Sequence, residues 1–569
     1  MIFGKLAEYF EKLESTSSRL ALIDILCELF SKVKKEEIAK VCYLIQGRVA
    51  PFYEPVELGM SEKLVAKAVG RAYDVKPDEV LKHYGKLGDM GLVAQQLNSK
   101  FEIRNSKLKI TEIFNTLLQI AKTTGEGTVE KKVSTLADLL QKVDGISAKH
   151  LVRVPLGVSR LGIGDPTILD AFSLAYARDR SKRPVVEAAY NRVSDLGLIG
   201  ETLWKGGLKA VESLKVTVGR PIRSQLAERL PTAEKVIDKM GRVNSQRKLD
   251  GFRVQIHKDG DKVRLFSRNL EETTPMFPEI ADAAKKQIKA KTAILDCEAI
   301  GFNPISGEFL PFQETTQRRR KYGILEMAQK IPLKAFCFDI LYKDGKSLID
   351  MDLQKRLEEL GKIVEDGNGL VIEKGEIVDN PQKLRIMLDE AIFSGLEGLV
   401  VKRPDSKYEA GARNFNWVKL KRHSTGELQD TIDCVILGYI FGRGKRVSFG
   451  AGALLVGVYD DKKDEFVTVS KIGTGLTDEE WREIHKRADK IKVDKRPARV
   501  NSKITPSVWV EPKIVIEVLA DEITKSPLHT AGLALRFPRL IKFREADKKA
   551  EDATTVRELE EMYKQQFKK

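Results

Sequence analysis

Three different hydrophobic patterns follow one another along this 569-residue chain, and they constrain its fold more than any other feature. Up to residue 217, apolar residues recur at three- and four-residue spacing, which predicts an all-helical domain. Residues 218–427 alternate short β-branched strands with helices, which predicts an α+β domain. Residues 428–569 contain strands separated by glycine-rich turns, which predicts a small β-barrel and a C-terminal helix. We therefore expect three domains rather than one.

Individual elements are predicted most clearly where the hydrophobic period is regular. In the first region, helices are expected at residues 20–33, 61–72, 109–122 and 128–143. In the second region, strands are expected at 254–256, 263–266, 293–300, 335–341 and 398–402, with helices at 351–364 and 381–394. In the third region, strands are expected at 434–441, 453–459, 466–471 and 514–519, with helices at 478–491 and 554–567.

The charge balance favours an acidic partner. Lys and Arg total 98 against 82 Asp and Glu, a formal net charge of +16. Such a balance is typical of proteins that bind nucleic acid, and a basic enzyme without a polyanionic partner is the alternative. Two local runs, at residues 178–184 and 318–321, concentrate positive charge. Either run fits a solvated surface or a phosphate-binding edge, and for Arg318–Lys321 we expect the phosphate-binding edge.

Cysteine usage and hydropathy indicate the cellular compartment. The five cysteines are dispersed and none forms a C-x-x-C pair. This pattern favours reduced, buried thiols over a zinc site or a disulfide framework. No apolar run approaches the ~20 residues that span a bilayer, and the N-terminus lacks a signal-peptide core. We therefore expect a cytoplasmic protein without a membrane partner.

The strongest local signal is the tetrapeptide K-L-D-G at Lys248–Gly251. Alone it is weak, because a surface turn can produce four such residues by chance. Further motifs follow in order: S-R-N at 267–269, D-C-E at 296–298, F-D at 338–339, E-G-L-V-V-K at 397–402, W-V-K-L-K at 417–421 and R-F-P-R at 536–539. A series of this length in this order is not expected by chance.

The series resembles the covalent nucleotidyltransferase superfamily, and within it the ATP-dependent DNA ligases of the archaeal replicative type. The resemblance spans nearly the whole chain, since it includes R-L-G-I-G-D at 160–165, V-G-R-P-I-R at 218–223, A-L-R-F-P-R at 534–539 and D-A-T-T at 552–555. It implies a helical DNA-binding domain (1–217), an adenylation domain (218–427) and an oligonucleotide-binding fold (428–569). The implied activity is ATP-dependent sealing of nicks in duplex DNA during replication, repair and recombination.

The resemblance makes Lys248 the nucleophile that carries AMP, before AMP passes to the 5′ end at the nick. A lysine amine is almost fully protonated near neutrality, because its ordinary pKa is roughly 10.4, and it is then a poor nucleophile. Nearby cations lower the pKa of such an amine and stabilise charge that builds on the α-phosphorus. The cations expected here are Arg253, Arg268, Lys402, Lys419 and Lys421.

The remaining nucleotide contacts are those that the resemblance implies. Arg253 and Arg268 are expected to touch phosphate or ribose, Glu298 to contact the ribose and Phe338 to stack on adenine. Phosphates of the bound nucleotide are expected to meet a group of cations, Arg413, Lys419, Lys402 and Lys421. Taken alone, Phe338 fits an ordinary core residue equally well, and Glu298 fits a surface acid at a strand end.

A metal and a mobile barrel complete the implied site. Glu298 and Glu397 are expected to hold Mg²⁺, with Mn²⁺ as the alternative, because hard cations prefer carboxylate oxygens. Arg536 and Arg539 are expected to orient pyrophosphate during self-adenylation as the barrel closes. The six histidines show no metal-ligand spacing and are interpreted as structural or surface residues.

The chain departs from the family pattern just before the nucleophile. Gln246 stands where these ligases usually carry an acidic residue, and Leu249 stands where aromatic residues are common. Gln246 is still expected to contact the adenine, but the change leaves open the use of ADP or GTP. The alternatives are an RNA ligase, a capping guanylyltransferase, an NAD-dependent ligase and a non-catalytic nucleic-acid-binding scaffold. The dispersed cysteines count against the NAD-dependent class, which carries a tetra-cysteine zinc module.

Nicked double-stranded DNA is the expected partner, and the chain is expected to act as a monomer. The resemblance also implies contact with a sliding clamp through a loop in the helical region, which corresponds to Gln95–Leu108. That segment offers only Phe101 where a clamp motif has adjacent aromatic residues. An ordinary surface loop is therefore the favoured interpretation.

Overall fold

The computed structural model describes residues 1–16, 18–99, 107–304, 308–310, 312–320, 322–394, 396–421, 431–442, 450–473, 476–544 and 548–566. The chain divides into two compact units, Met1–His83 with Met90–Arg422, and Tyr84–Asp89 with His423–Lys569. The domain boundaries at residues 217 and 427 stay predictions, and the second lies outside the described residues. Over the described ranges, no helix combines the length and apolar character of a membrane span.

The N-terminal region is helical, as predicted. The α-helices described there are α1 (Phe3–Glu14), α2 (Arg19–Lys32), α3 (Ile38–Ile45), α4 (Glu62–Tyr73), α5 (Pro77–Leu87), α6 (Met90–Asn98), α7 (Ile110–Lys122), α8 (Thr128–Leu140), α9 (Gly145–Arg153), α10 (Asp165–Ala177), α11 (Arg183–Val193) and α12 (Leu196–Glu212). Side chains of Ser18, Ser61 and Asp144 accept backbone N–H groups at the helix starts. These caps satisfy donors that have no partner inside the helix and so define where each helix begins.

The next region is the predicted α+β fold, in which helices cover two sheets. Its elements are β1 (Leu226–Arg229), α13 (Ala233–Met240), β2 (Val243–Lys248), β3 (Phe252–Asp259), β4 (Lys262–Ser267), α14 (Pro278–Gln287), β5 (Thr292–Gly301), α15 (Phe312–Thr315), α16 (Ile324–Lys330), β6 (Leu333–Lys343), β7 (Lys346–Ser347), α17 (Leu353–Ile363), β8 (Leu370–Ile372), β9 (Glu376–Val378), α18 (Pro381–Phe393), β10 (Gly398–Lys402) and β11 (Arg413–Lys421).

The two sheets meet at the K-L-D-G motif. The first sheet has the strand order β1-β11-β10-β2-β9, and the second has the order β4-β3-β5-β6-β7, with β8 paired to β6. Lys248 ends β2 in the first sheet, and Phe252 begins β3 in the second. Leu249 is buried in the core beside the first sheet. A Cβ on Gly251 would lie 2.2 Å from the Ala299 carbonyl oxygen, so only glycine fits this crossing.

The second unit contains the predicted β-rich fold with one inserted helix. Its elements are β12 (Ile432–Ile440), β13 (Ala453–Asp460), β14 (Glu465–Ile472), α19 (Asp478–Asp489), β15 (Lys492–Val493), β16 (Val500–Asn501), β17 (Val508–Val510), β18 (Val515–Leu519), β19 (Glu522–Lys525), β20 (Leu533–Arg536), β21 (Arg539–Phe543) and α20 (Val556–Gln565). Among the described residues of this unit, eight strands form one curved, half-barrel sheet, and β19 pairs separately with β20. A continuous apolar core that includes Trp481 fills its interior.

Candidate active site

Lys248 lies beside a carboxylate that it shares with a second lysine. Strand β10 runs between β2 and β11, and Gly398 pairs with Lys248 on one side and with Lys421 on the other. Glu397, which precedes Gly398, donates its backbone N–H to the Lys248 carbonyl oxygen at 3.2 Å. Its side chain forms an ion pair with Lys248 Nζ and another with Lys421 Nζ at 2.7 Å. The Lys248 side chain is 21% exposed, so a substrate can reach its amine.

The charges around this pair are mixed, with a carboxylate among the cations. Burial by itself would raise the pKa of Glu397, but Lys248 and Lys421 outweigh it and lower the pKa to about 2. Two of the expected cations, Lys419 and Lys421, are nevertheless close, because burial together with the charges of Lys421, Arg413 and Lys248 lowers the pKa of Lys419. One fixed anion therefore lies within a group of cations.

Glu298 is a second carboxyl group near Lys248, with the opposite behaviour. It lies on β5, opposite Arg253 on β3, and is half-buried. Burial raises the pKa of Glu298 to about 7, although Arg253, Lys248 and the Gly251 N–H oppose this rise. Glu298 and Glu397 both interact with the charge of Lys248, yet their pKa values differ widely. Carboxyl groups with such separated pKa values are typical of active sites. Glu397 stays an anion, and Glu298 changes protonation near neutrality.

Phe338 is the extra residue of a β-bulge. Asp296 pairs with Asp339 and Cys297 pairs with Cys337, which leaves Phe338 between them without a partner on β5. Bulges re-aim side chains and release backbone groups from the sheet. The released Phe338 carbonyl oxygen accepts hydrogen bonds from Gln246 Nε2 at 3.2 Å and from Lys402 Nζ at 3.3 Å. The half-buried ring is therefore held at the rim of the core and not inside it.

Lys402 lies beneath this ring and is not solvated. It is 1% exposed, and its Nζ lies 4.5 Å from the Phe338 ring centroid and 4.0 Å from that of Trp417. Burial lowers the pKa of Lys402 to about 7, despite the opposing charges of Asp339 and Asp296. A buried amine between two aromatic faces gains cation–π stabilisation in place of water.

Arg253 is bound by groups of the protein itself. It forms a bidentate ion pair with the fully buried Asp296, at 3.0 and 2.6 Å. It also donates to the Gln225 carbonyl oxygen at 2.7 Å and to the Tyr408 hydroxyl at 3.3 Å. Four of its five N–H groups are thus directed to the protein. One N–H group of Arg253 is left for a phosphate or ribose, and this contact stays a prediction.

The carboxamide of Gln246 is similarly engaged. Its Nε2 donates to the Phe338 carbonyl oxygen and, at 2.7 Å, to the Glu373 carbonyl oxygen. Both amide hydrogens are therefore used on backbone acceptors, and only Oε1 is left for a ligand. Glu373 in turn binds Arg247, with the Arg247 Nε donating to Glu373 Oε2 at 2.8 Å. The predicted contact of Gln246 with adenine is thus restricted to a hydrogen-bond acceptor.

Comparisons with known proteins assign this arrangement to a family. Residues 224–421 match the family model of the ATP dependent DNA ligase domain, residues 2–173 match the DNA ligase N terminus, and residues 448–548 match the ATP dependent DNA ligase C terminal region. The chain belongs to the ATP-dependent DNA ligase family. It is therefore an enzyme of this family, and nick sealing is its expected function.

Relatives extend over the full chain. A probable DNA ligase of Dictyoglomus thermophilum is 49% identical over 576 residues, which cover 100% of this chain and 98% of that protein. The DNA ligase of Sulfolobus acidocaldarius is 40% identical over 592 residues, covering 100% and 99%. A solved structure named Pmar-Lig_PreS3 has a similar fold, with a TM-score of 0.52 and 18% identity over 95% of this chain and 99% of that one.

The other arginines that the sequence predicts to bind ATP are Arg268, Arg413, Arg536 and Arg539. Arg268 follows β4 and Arg413 begins β11; both are exposed, and neither forms an ion pair within the described part of the chain. Arg536 and Arg539 belong to the second unit, where Arg539 binds Asp521 at 2.7 Å and Arg536 lies 3.8 Å from Glu522. Their roles toward pyrophosphate stay predictions.

One prediction about phosphate binding is wrong for Arg318. This residue is 1% exposed and donates to the carbonyl oxygens of Ile331 at 2.8 Å and Met276 at 3.1 Å, while it pairs with Glu279. It is therefore a structural residue of the loop and not part of a phosphate-binding edge, because the side chain is buried and both of its terminal nitrogens already have acceptors in the protein. Lys321 and residues 100–106 of the predicted clamp loop lie outside the described residues.

A possible metal-binding group in the helical region is better explained as an ion-pair network. Glu11, Glu14 and His150 bring their ligand atoms within 4.8 Å of one another. However, Lys149 binds both carboxylates, at 2.7 and 3.0 Å, and Arg153 binds Glu14 at 2.8 Å. These cations already neutralise the acids that a metal would need.

Sequence reasoning missed the residues that support the site from behind. Tyr408 donates to Asp296 at 2.7 Å, and the fully buried Arg356 pairs with Asp339 at 2.8 Å. The sequence motifs include Asp296 and Asp339 but gave them no role. Glu373, Tyr408 and Arg356 belong to none of the motifs. Their separation in sequence from their partners leaves no periodic signal that could have identified them.

Proposed function

We propose that Lys248 is the residue that takes AMP from ATP and passes it to the 5′-phosphate of nicked duplex DNA. The observation that carries this proposal is the accessible Lys248 amine bound to Glu397 at the junction of two sheets. Attack of Nζ on the α-phosphorus forms a P–N bond and breaks the bond to pyrophosphate. The adenylate then moves to the DNA, and the 3′-hydroxyl displaces AMP to close the nick.

Glu397 and its two lysines position the nucleophile. Two points of attachment, the Glu397 N–H to the Lys248 carbonyl and the carboxylate to Nζ, keep the amine at the end of β2. Correct alignment of a nucleophile contributes a large share of the rate of phosphoryl-type transfers. Lys419, Lys421 and Arg413 supply positive charge for the triphosphate and for the charge that develops on it.

Phe338 is proposed as the stacking surface for adenine. Its half-buried ring stands on a bulge whose carbonyl is held by Gln246 and Lys402. A nucleotide base stacks on a flat apolar face such as this ring. Lys402 Nζ lies over the ring, and Trp417 packs against it edge-on, with 6.1 Å between the two ring centroids. The acceptor left on Gln246 suits the 6-amino group of adenine better than the 6-oxo group of guanine, which favours ATP over GTP.

Glu298 and Glu397 fit the carboxylates that would hold Mg²⁺, or Mn²⁺ in its place. Glu298 is a half-buried carboxyl group whose raised pKa reflects incomplete compensation of its charge. A hard divalent cation prefers carboxylate oxygen and would supply that compensation. When bound, the ion neutralises phosphate charge.

Exposed cations of the helical region are proposed to grip the DNA backbone. Arg178, Arg180 and Lys182 are exposed around the end of α10, and no ion pair engages them within the described ranges. Contacts of this kind go to phosphate and are independent of base sequence.

Arg536 and Arg539 are proposed to bind pyrophosphate during the first step. The match of residues 2–173 to a DNA ligase N terminus favours this function over that of a capping enzyme.

The wider setting of the reaction rests on the family and the DNA substrate. Roles in replication, repair and recombination follow from the need to join DNA ends. The monomeric state, cytoplasmic location and contact with a sliding clamp remain predictions, and no described residue is assigned to a clamp surface.

Self-adenylation tests the proposal directly. The purified protein is incubated with labelled ATP and Mg²⁺, run on a denaturing gel, and digested for mass spectrometry. We expect label on the protein and a peptide containing Lys248 that is heavier by one AMP. Lys248→Ala and the charge-preserving Lys248→Arg should both abolish the label, whereas Lys262→Arg, an exposed lysine on β4, should keep it. Labelling of Lys248→Ala at the wild-type level would refute the proposal.

A further inference from the structure

Two buried thiols face each other behind the proposed nucleotide site. Cys297 on β5 and Cys337 on β6 are register partners in antiparallel strands, and both are 0% exposed. Their sulfur atoms lie 3.0 Å apart, although the residues are 40 positions apart in sequence. Both are free thiols in this structure.

The backbone geometry suits a covalent bond between them. Directly paired residues of antiparallel strands have Cα atoms about 4.5–5.5 Å apart, within the range of about 4.4–6.8 Å that disulfides span. An S–S bond of about 2.05 Å requires the sulfur atoms to approach by only about 1 Å more. Small side-chain rotations can supply that movement without moving the strands.

We propose that Cys297 and Cys337 form an intramolecular disulfide in the folded protein when a small neutral thiol oxidant reaches them. With a diazenedicarboxamide oxidant such as diamide, the first sulfur adds to one nitrogen of the N=N bond. The second sulfur then attacks the first, which forms the S–S bond and breaks the S–N bond. The two thiol protons end on the nitrogens, so the azo compound leaves as the hydrazine and both cysteines are oxidised.

Burial makes this reaction slow but selective. Burial raises the pKa of the Cys297 thiol, and the hydrogen bond from its sulfur to Cys337 adds to this effect. Fewer thiolates mean slower attack on an oxidant. Once the first sulfur has reacted, however, the second sulfur is already in contact and closes the bond before another thiol can enter.

The disulfide would cross-link β5 and β6 on the core side of the sheet. Cys297 and Cys337 pack in one apolar core with Leu295, Ala299 and Ala335. Because side chains alternate along a strand, Glu298 points to the opposite side of β5 from Cys297. The bond would therefore tie β5 to β6 beside the bulge at Phe338 and close a loop of about 40 residues, which restricts the unfolded chain.

Thiol counting on the full-length protein tests the proposal. The folded protein is treated with diamide, the reagent is removed, and free thiols are alkylated after denaturation. We expect the count to fall from five to three, and non-reducing digestion to yield one cross-linked pair of peptides carrying Cys297 and Cys337. The melting temperature of the oxidised protein should rise by about 5–10 °C and return after reduction.

Single variants separate this pair from the other thiols. Cys297→Ala and Cys337→Ala, tested separately so that one folding failure is not decisive, should each keep all four remaining thiols free. Cys434→Ala removes another fully buried strand thiol and should still form the bond. Five free thiols after treatment, or a cross-link through a different cysteine, would overturn the proposal.

Discussion

Glu397 is ion-paired with Lys248, and the same carboxylate oxygen lies 2.7 Å from Lys421. This relationship arises because Gly398 pairs with both lysines, one on each neighbouring strand. A carboxylate that is shared by two lysines holds them close together against their mutual repulsion. The nucleophile proposed here is therefore positioned by an anion, and the surrounding lysines and arginines are the cations that we propose to bind the substrate phosphates.

Removal of the shared charge should impair the first step of the reaction. Glu397→Gln keeps the shape of the side chain but leaves Lys248 and Lys421 without their anion, so the amine loses its position. We expect self-adenylation to slow by at least about 100-fold. Rates of label incorporation at saturating ATP measure this effect. Glu390→Gln, an exposed acid on α18, serves as the control, and equal rates in both variants would contradict the role of Glu397.

The raised pKa of Glu298 predicts a pH-dependent stability. Folding raises this pKa from 4.5 to about 7, so the folded state binds the proton more tightly than the unfolded state. The stabilisation from Glu298 is complete below the unfolded pKa and is lost as pH rises through about 7. Glu298→Gln cannot titrate, and its stability relative to the wild type should therefore increase by about 1–3 kcal/mol from about pH 5 to about pH 8.

Urea unfolding of both proteins across this pH range, in a metal chelator, provides the measurement. A stability difference that stays constant with pH would mean that Glu298 does not titrate in this interval. Addition of Mg²⁺ should reduce the pH dependence of the wild type, because a bound cation stabilises the charged carboxylate.

Loss of the Phe338 ring should weaken ATP use without unfolding the protein. Base stacking on an aromatic ring contributes about 1–3 kcal/mol, so Phe338→Ala should raise the KM for ATP by roughly 5- to 150-fold. Phe338→Tyr keeps the flat face and should stay close to the wild type. Initial rates against ATP concentration give the KM, and circular dichroism checks the fold. An unchanged KM in a folded Phe338→Ala protein would remove the ring from the site.

Neutralising the exposed cations near α10 should change DNA binding and leave self-adenylation intact. The triple variant Arg178→Gln, Arg180→Gln, Lys182→Gln removes three charges that have no ion-pair partner among the described residues. Each lost phosphate contact reduces the slope of log K against log salt by roughly 0.9, so the total change should reach about 1–3. Fluorescence anisotropy with a nicked duplex at several salt concentrations measures the slope.

The control removes the same net charge from another exposed surface of the helical region. Lys34→Gln, Lys35→Gln, Lys63→Gln should change the salt slope far less, since these side chains are exposed but lie outside the proposed surface. If both triple variants shift the slope equally, general electrostatics and not a specific backbone contact explains the binding.

Helices with a regular apolar period were predictable to within a few residues at each end. The prediction for residues 61–72 corresponds to α4 at Glu62–Tyr73, and that for 128–143 corresponds to α8 at Thr128–Leu140. Strand β2, which carries the nucleophile, was not predicted, because its buried residues Asn244, Ser245 and Gln246 are polar and show no apolar alternation. Their hydrogen-bond partners come from distant parts of the chain, such as the Lys374 carbonyl oxygen for Asn244.

The candidate site was predictable in its residue types but not in its contacts. The motifs named Lys248, Glu298, Phe338, Glu397 and the lysines of β11, and the structure brings the surroundings of Lys248 together. No pattern in the sequence indicated that Phe338 stands on a bulge. The burial of Arg318 was equally unpredictable. A run of basic residues does not reveal which guanidinium group will donate to backbone carbonyl oxygens in the fold.

The sequence alone determined the three folds and the chemical class, because hydrophobic period and the order of short motifs are local properties of the chain. Only the tertiary structure decided that Glu397 binds Lys248, that Lys402 lies under Phe338 and that Cys297 touches Cys337. Each of these contacts joins residues that lie in different strands or, for Glu397, directly before one. Strand order and register, which depend on packing across the whole domain, select such partners, and no local pattern encodes them.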